Sequence, residues 1–265
     1  MKRNKMKNRI LIIAIPLIFF NSILAFAQQD RDSVLINLEK AGWEYEVKAG
    51  CNIGGIIPLG MPQEIRSINS YSPRLNGSFE GVVTHWFFKD KKWGASTGLR
   101  IEAKGMHASA TVKNYSTEII TDGNRVAGYW TGDVNTKYSG TFLTLPFLVD
   151  YRFNKRWIIN AGVYVSYMLE GNFSGDVSNG YLRQGTPVGE KLEFKDGKTA
   201  TYDFDSDLRR FEWGPEIGVS WKAFNRFKLN ADLAYGFDHI FKKSFKTITF
   251  NLYPVYLNVG FGYIF

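Results

Sequence analysis

The chain has 265 residues, 16 % aromatic and 45 % hydrophobic, with 26 Gly, 8 Pro, one Cys and a formal charge of +8. Abundant Phe, Tyr and Gly favour strands and turns over a helical bundle, and a single cysteine, Cys51, excludes an internal disulfide. After the first 27 residues no run of 18 consecutive apolar residues occurs, which argues against a helical membrane protein.

The N-terminus reads as a secretory leader. Lys2, Arg3, Lys5, Lys7 and Arg9 form a basic region, Ile10 to Phe20 an apolar one, and Ala25-Phe26-Ala27 places small residues at Ala25 and Ala27, with cleavage expected after Ala27. A membrane anchor is the alternative, but Pro16 and Asn21 interrupt an apolar run already short for a span of about 20 residues. The leader holds five bases and no acid, so its removal lowers the formal charge from +8 to +3. Nucleic acid is therefore not an implied partner. Residues 28–42 are expected to be a short periplasmic segment and 43–265 the folded domain.

Alternation then dominates. The first strand sets Trp43, Tyr45, Val47, Ala49, Cys51 and Ile53 against Glu44, Glu46, Lys48, Gly50, Asn52 and Gly54. The second, about Leu75 to Phe88, is noisier. The third sets Trp93, Ala95, Thr97, Leu99 and Ile101 against Gly94, Ser96, Gly98, Arg100 and Glu102, and the fourth covers about Tyr138 to Phe153. In the fifth, Trp157, Ile159, Ala161, Val163, Val165, Tyr167 and Leu169 share one face, and thirteen residues at ~3.3 Å tilted ~40° span roughly 33 Å. The sixth runs from Phe211 to Trp221, the seventh from Phe227 to Phe237 and the eighth from Ile248 to Phe265. A soluble sandwich also alternates. Here aromatics cap both ends of the apolar face, and the polar face mixes both charges with glycine, which suits lipid outside and a narrow bore inside. The expected fold is all-β: an eight-stranded antiparallel transmembrane up-and-down β-barrel in the outer membrane of a Gram-negative cell.

The connections agree. Short polar turns follow the second, fourth and sixth strands, near Lys89-Asp90-Lys91-Lys92, Asn154-Lys155-Arg156 and Ala223 to Arg226, and longer ones lie on the opposite side. Asp122-Gly123 and Asp196-Gly197 read as hairpin turns. Strands three to six are thus expected to continue past the membrane as an exposed sheet with open edges. Pro146, Pro215 and Pro254 fall within strands, where bulges would accommodate them. Phe261, Tyr263 and Phe265 end the last strand on the apolar face and look like the signal by which barrels are recognised for membrane insertion.

Two segments carry a family resemblance. Phe142-Leu143-Thr144-Leu145-Pro146-Phe147-Leu148-Val149-Asp150-Tyr151-Arg152-Phe153 resembles the strand motif of PorT-like outer-membrane barrels of the Bacteroidota, and Tyr235-Gly236-Phe237 resembles their late Tyr-Gly-Leu element, with Phe in place of Leu. The resemblance implies an outer-membrane barrel; some members serve protein secretion or gliding. The protruding hairpins also resemble OmpX-like architecture.

Chemistry is concentrated in two places. Glu44, Glu46, Lys48, Glu80, Arg100, Glu102, Asp150, Arg152, Glu170, Glu212, Glu216, Lys228 and Asp232 face the bore, which an eight-stranded barrel fills with side chains, so an ion-paired plug is expected rather than a channel. Outside, Tyr115, Tyr129, Trp130 and Tyr181 are the candidate binding residues on loops. Two arrangements could suggest a lipid-modifying enzyme at the outer rim, His107 with Ser109 and His239 with Asp238, but neither has more than proximity. The histidines have no zinc-site spacing, and no phosphate loop or dinucleotide fingerprint occurs. No cofactor and no metal are expected. The expected role is non-enzymatic and structural, binding or secretion-accessory. Its partners would be outer-membrane lipid and lipopolysaccharide, the barrel-insertion machinery and a secreted or surface protein.

Overall fold

The computed structural model describes residues 41–74, 76–87, 90–121 and 123–265. The leader with Ala25 and Ala27, and the segment 28–40, lie outside the described residues. Tyr45–Phe265 forms one compact unit.

Among the described residues ten strands occur in the order β1 (Trp43–Pro58), β2 (Ile65–Pro73), β3 (Asn76–Trp86), β4 (Trp93–Thr121), β5 (Asn124–Arg152), β6 (Trp157–Gln184), β7 (Lys191–Asp203), β8 (Phe211–Lys222), β9 (Phe227–Tyr235) and β10 (Leu252–Ile264), with a 3-10 turn at Asp205–Asp207. Hydrogen-bonded neighbours run β4-β3-β1-β10-β9-β8-β6-β5, and β5 pairs again with β4. Eight strands therefore form a closed antiparallel barrel. Residues 153–156 and 223–226 make turns at one end, the end at which β3 also passes to β4.

Alternation decides which side chains face lipid. Trp157, Ile159, Val163 and Tyr167 on β6, Trp213 and Ile217 on β8, Phe227, Leu229 and Leu233 on β9, and Leu257, Val259 and Phe261 on β10 are all exposed. A sandwich would bury such a set against a second sheet. From Trp157 to Tyr167 the belt covers ten residue steps, about 25 Å at ~3.3 Å each and ~40° tilt, the height of an outer-membrane hydrocarbon band. Aromatics line its rims, with Trp93 beside Tyr151 and Trp157 beside Trp221 at one end and Trp213 beside Phe237 at the other. This is an outer-membrane barrel.

Each proline is paired within one ladder, Pro146 with Tyr164, Pro215 with Val163 and Pro254 with Ile56, and sits where the ladder on its other side stops or skips, not at a bulge. The β4–β5 pairing skips from Thr97–Phe147 to Arg100–Thr144, and the gap spans Pro146, whose carbonyl accepts from the Thr97 hydroxyl at 2.9 Å. Pro215 and Pro254 lie one residue beyond the β8–β9 and β9–β10 ladders. No bulge is needed, because the missing N–H falls where no partner is required.

Beyond the belt β4, β5 and β6 continue, each 28 or 29 residues long. About 17 residues of each protrude, roughly 55 Å along the strand. Thr121 pairs with Asn124, and Gly123 between them has φ +77°, a conformation open mainly to glycine, while Asp122 lies outside the described residues. Asp196-Gly197 is not a hairpin turn. β7 runs past it along β6, pairing Phe194 with Gly180 and Thr199 with Ser178, so residues 195–198 are an outward kink. The protruding sheet coils, because β7 meets β4 at the single pair Ile120–Thr201, and its open edge is β2, a strand absent from the sequence reading, which pairs with β4. The predicted last strand begins late, because residues 248–251 belong to a loop whose Ile248 is buried in the module.

Candidate functional site: the plugged bore and the outer module

The bore is packed with ions in layers. At its centre Arg100 reaches Glu216 through both terminal nitrogens, at 3.0 and 2.7 Å, and Glu80 through Nε at 3.1 Å. Lys48 stands 3.6 Å from Asp232 and 3.9 Å from Glu80. One layer outward, Lys104 binds Glu212 at 2.9 Å and lies 3.5 Å from Glu102. The rings of Phe142, Tyr164 and Tyr256 surround its ammonium at 4.8, 5.3 and 5.6 Å. Glu102 accepts further bonds from Asn52 and Thr144, and Glu212 from Tyr164. One layer inward, Lys228 binds Glu46 at 2.7 Å and Asn230 donates to the same carboxylate. Arg100 and Glu216 are 3 % and 0 % exposed. A charge so far from water is tolerable only with this full set of partners.

Most of the predicted bore set lies where alternation places it. Asp150 is buried, and Arg152 lies 4.0 Å over the Trp86 ring. Glu44 is half-exposed at the start of β1. Glu170 is a correction: it is exposed, because opposite Thr141 and Phe142 the partner strand jumps from Glu170 to Met168. The extra residue, Leu169, reverses the faces of β6. Lys104 is a bore residue beyond the predicted set: it shares parity with Arg100 and Glu102 but lies past the Trp93–Glu102 segment that alternation assigns to the third strand, which in fact continues to Thr121. Between the layers and the turn end remains a cavity of about 20 Å³ bordered by Lys48, Glu80, Asp150 and Asn160. That is room for about one water.

Above the bore the same strands enclose apolar side chains. Ile119, Trp130, Val134, Phe173, Val177, Leu182, Phe194 and Tyr202 form a buried core with Phe204, Phe241 and Ile248. Trp130 is 0 % and Tyr115 9 % exposed, so neither is a surface binding residue. They were expected on loops, but they lie opposite each other in a β-ladder and face inward. Tyr129 and Tyr181 point the other way and are half-buried, with Tyr181 flanked by Lys191 at 4.4 Å and Arg183 at 5.6 Å. The outer face is polar, and a row of hydrogen bonds crosses four strands: Asn69 to Thr111 at 2.9 Å, Thr111 to Asp133 at 2.8 Å and Asn179 to Asp133 at 3.1 Å. β2 ends this sheet, and eight of its nine residues are exposed, including Ile68 and Tyr71.

The histidines stand apart. His107 is exposed on β4, opposite Ser72 of β2 and Lys137 of β5, and among the described residues no hydrogen bond joins it to Ser109. Asp238 is held by Arg209 at 3.2 Å rather than oriented on His239. Partial burial and then the Arg209 charge hold His239 below the usual imidazole range, against the pull of Asp238. Among the described residues no group of His, Cys, Asp and Glu is arranged to hold a metal ion.

A family model described as outer membrane protein beta-barrel domain matches residues 26–242. No curated protein matches the sequence. Among solved structures the chain is similar to Ail, the attachment invasion locus protein of Yersinia pestis, at 10 % identity, with 84 % of this chain and 97 % of that one covered and a TM-score of 0.34. It is similar to OprG from Pseudomonas aeruginosa at 14 % identity, 85 % and 96 % coverage and a TM-score of 0.32. It is also similar to the outer membrane protease OmpT from Escherichia coli, at 11 % identity, 84 % and 96 % coverage and a TM-score of 0.33.

Proposed function

The chain belongs to the outer membrane protein beta-barrel domain family, and from that premise we propose that it is a non-enzymatic surface barrel whose outer module docks a protein partner. The observation that carries this reading is the module itself. Three strands of 28–29 residues rise out of the barrel and close over an apolar core of their own. Such a core makes the outer face a rigid scaffold, which lowers the ordering cost of binding. The exposed edge strand β2 offers unpaired backbone groups to an extended segment of a partner, with Ile68 as an apolar contact. The ion-paired bore supports an anchoring role for the barrel rather than transport. The resemblance to PorT-like barrels adds a secretion-accessory role to what such docking would serve. Phe261, Tyr263 and Phe265 are the proposed signal for the barrel-insertion machinery; Phe261 and Phe265 are exposed and Tyr263 shares their lipid-facing parity.

The test is photo-crosslinking in intact cells from positions 68 and 70 on β2, with position 229 on the lipid face as reference. A discrete protein adduct from β2 alone is expected, and equal labelling from all three positions overturns the docking site. Mass spectrometry of lipid A from a deletion strain tests the non-enzymatic part: altered acyl chains would sink it.

A further inference from the structure

The loop from β9 to β10, residues 236–251, carries His239, Lys242, Lys243 and Lys246 against a single acid, Asp238. That acid is committed to Arg209 at 3.2 Å. A cleft of about 470 Å³ opens along the loop, lined by His239, Lys243, Phe245, Lys246, Thr249 and Asn251. Among the described residues neither Lys243 nor Lys246 has an acidic partner. Lys242 differs, because its ammonium donates to the Ser206 carbonyl at 2.5 Å.

The loop is fixed in place. Ile240, Phe241 and Ile248 are buried in the module core, and the Phe241 and Phe245 rings stack at 4.4 Å. Backbone bonds join Ile240 N–H to Leu252 O at 3.0 Å, Lys242 N–H to Asp207 O at 2.9 Å and Arg209 N–H to Ile240 O at 2.7 Å. The two unpaired ammonium groups are thus set on an ordered backbone, which reduces the ordering a ligand must impose.

Its height is equally defined. Phe237 packs against Trp213 at 5.1 Å and Tyr235 stacks on Tyr253 at 6.2 Å, marking the outer aromatic rim. His239 and Asn251 each lie two residues from that rim in the chain, at the start and end of the loop, and such a rim marks headgroup level. Burial first, and then the charges of Arg209, Lys246 and Lys243 against the pull of Asp238, hold His239 below the usual imidazole range, in keeping with the excess of positive charge along this loop.

We propose that this cleft binds a phosphate monoester carried on the headgroup of an outer-leaflet lipid. Lys243 and Lys246 supply the charge; beside them Thr249 donates its hydroxyl to the Glu64 carboxylate at 3.3 Å and Asn251 its amide to the Tyr253 hydroxyl at 3.3 Å, which fixes both side chains on the cleft wall. Phe245 and Ile248 form the apolar wall of the cleft. Inorganic phosphate shares the recognised chemistry, but its position at the rim favours the lipid. The proposal rests on the barrel's place in the membrane and does not require a partner docked at β2.

The test is native mass spectrometry of the full barrel in neutral detergent with phosphatidic acid, phosphatidylcholine or inorganic phosphate. Wild type is expected to prefer phosphatidic acid over phosphatidylcholine by on the order of tenfold. K243Q/K246Q should bring the two lipids level, whereas K155Q, in a turn at the other end, should leave the preference intact. Heat-modifiable gel migration checks that each variant is folded; should K243Q/K246Q not fold, K243Q and K246Q singly must each lower the preference. An unchanged preference in the lysine variants overturns the site. Displacement of phosphatidic acid by an equal concentration of inorganic phosphate overturns the lipid as its source.

Discussion

Two interiors are stacked within one set of strands, and their chemistry is opposite. On β4 the inward series Arg100, Glu102, Lys104 gives way to Met106, Ala108, Ala110 and Val112. On β6 Asn160 and Ser166 give way to Met168, Phe173 and Val177. The outward faces invert at the same height, from Leu99 and Val163 below to polar Thr111, Asp133 and Asn179 above. Each face follows its solvent. Where hydrocarbon surrounds the strands, apolar groups turn out and polar groups must satisfy one another inside. Where water surrounds them, burial of apolar area drives the core, at roughly 25 cal/mol per Å².

The comparison predicts different failures. Arg100→Met should have the largest effect, about 3–5 kcal/mol of barrel stability, because Glu216 and Glu80 would stay buried without their cation. Urea titration in micelles with heat-modifiable migration as readout measures it, and a loss below 1 kcal/mol would mean that the bore is wetter than its geometry indicates. Leu182→Ala, at a 0 % exposed position in the module, should cost about 3 kcal/mol. That loss should appear as protease cleavage of β4–β7 in intact vesicles while the barrel persists; unfolding of both together would show that the two interiors are one cooperative unit.

Lys104→Met combined with Glu212→Gln should cost less than Lys104→Met alone, by on the order of 1–2 kcal/mol, because the pair is neutralised together. Gly123→Ala should cost about 1 kcal/mol at the hairpin tip, where φ is +77°. The smallest effect concerns pH. Lys191 and Lys195 hold the exposed Glu193 carboxyl down from 4.5 to about 2. Its contribution is therefore complete above the unfolded value and lost as pH falls from about 4.5 toward 2, and Glu193→Gln should abolish that change in the amide exchange of β7.

Barrel strands were legible because lipid enforces a two-residue period. Trp157 to Tyr167 and Phe227 to Phe237 could be assigned face by face from that alone. The period does not announce a change of solvent, so Tyr115 and Trp130 read as loop aromatics when they are inward members of long strands. A single inserted residue also goes unseen: Leu169 keeps the composition of its strand while turning Glu170 out of the bore. β2 was missed because Arg66, Ser67, Asn69, Ser70 and Ser72 have no buried face to impose a pattern.

By itself the amino-acid order determined the strand count of the barrel, its closed antiparallel class and most of its inward ions, because each rests on local alternation against a uniform surrounding. Only the tertiary structure decided that the upper strands coil around phenylalanines, that Lys104 is caged by three rings, and that the β9–β10 loop is fastened into the module. Those outcomes depend on contacts between segments more than 30 residues apart, such as Phe173 with Phe241, at a 4.9 Å ring separation, and Arg100 with Glu216. No local period encodes such a meeting.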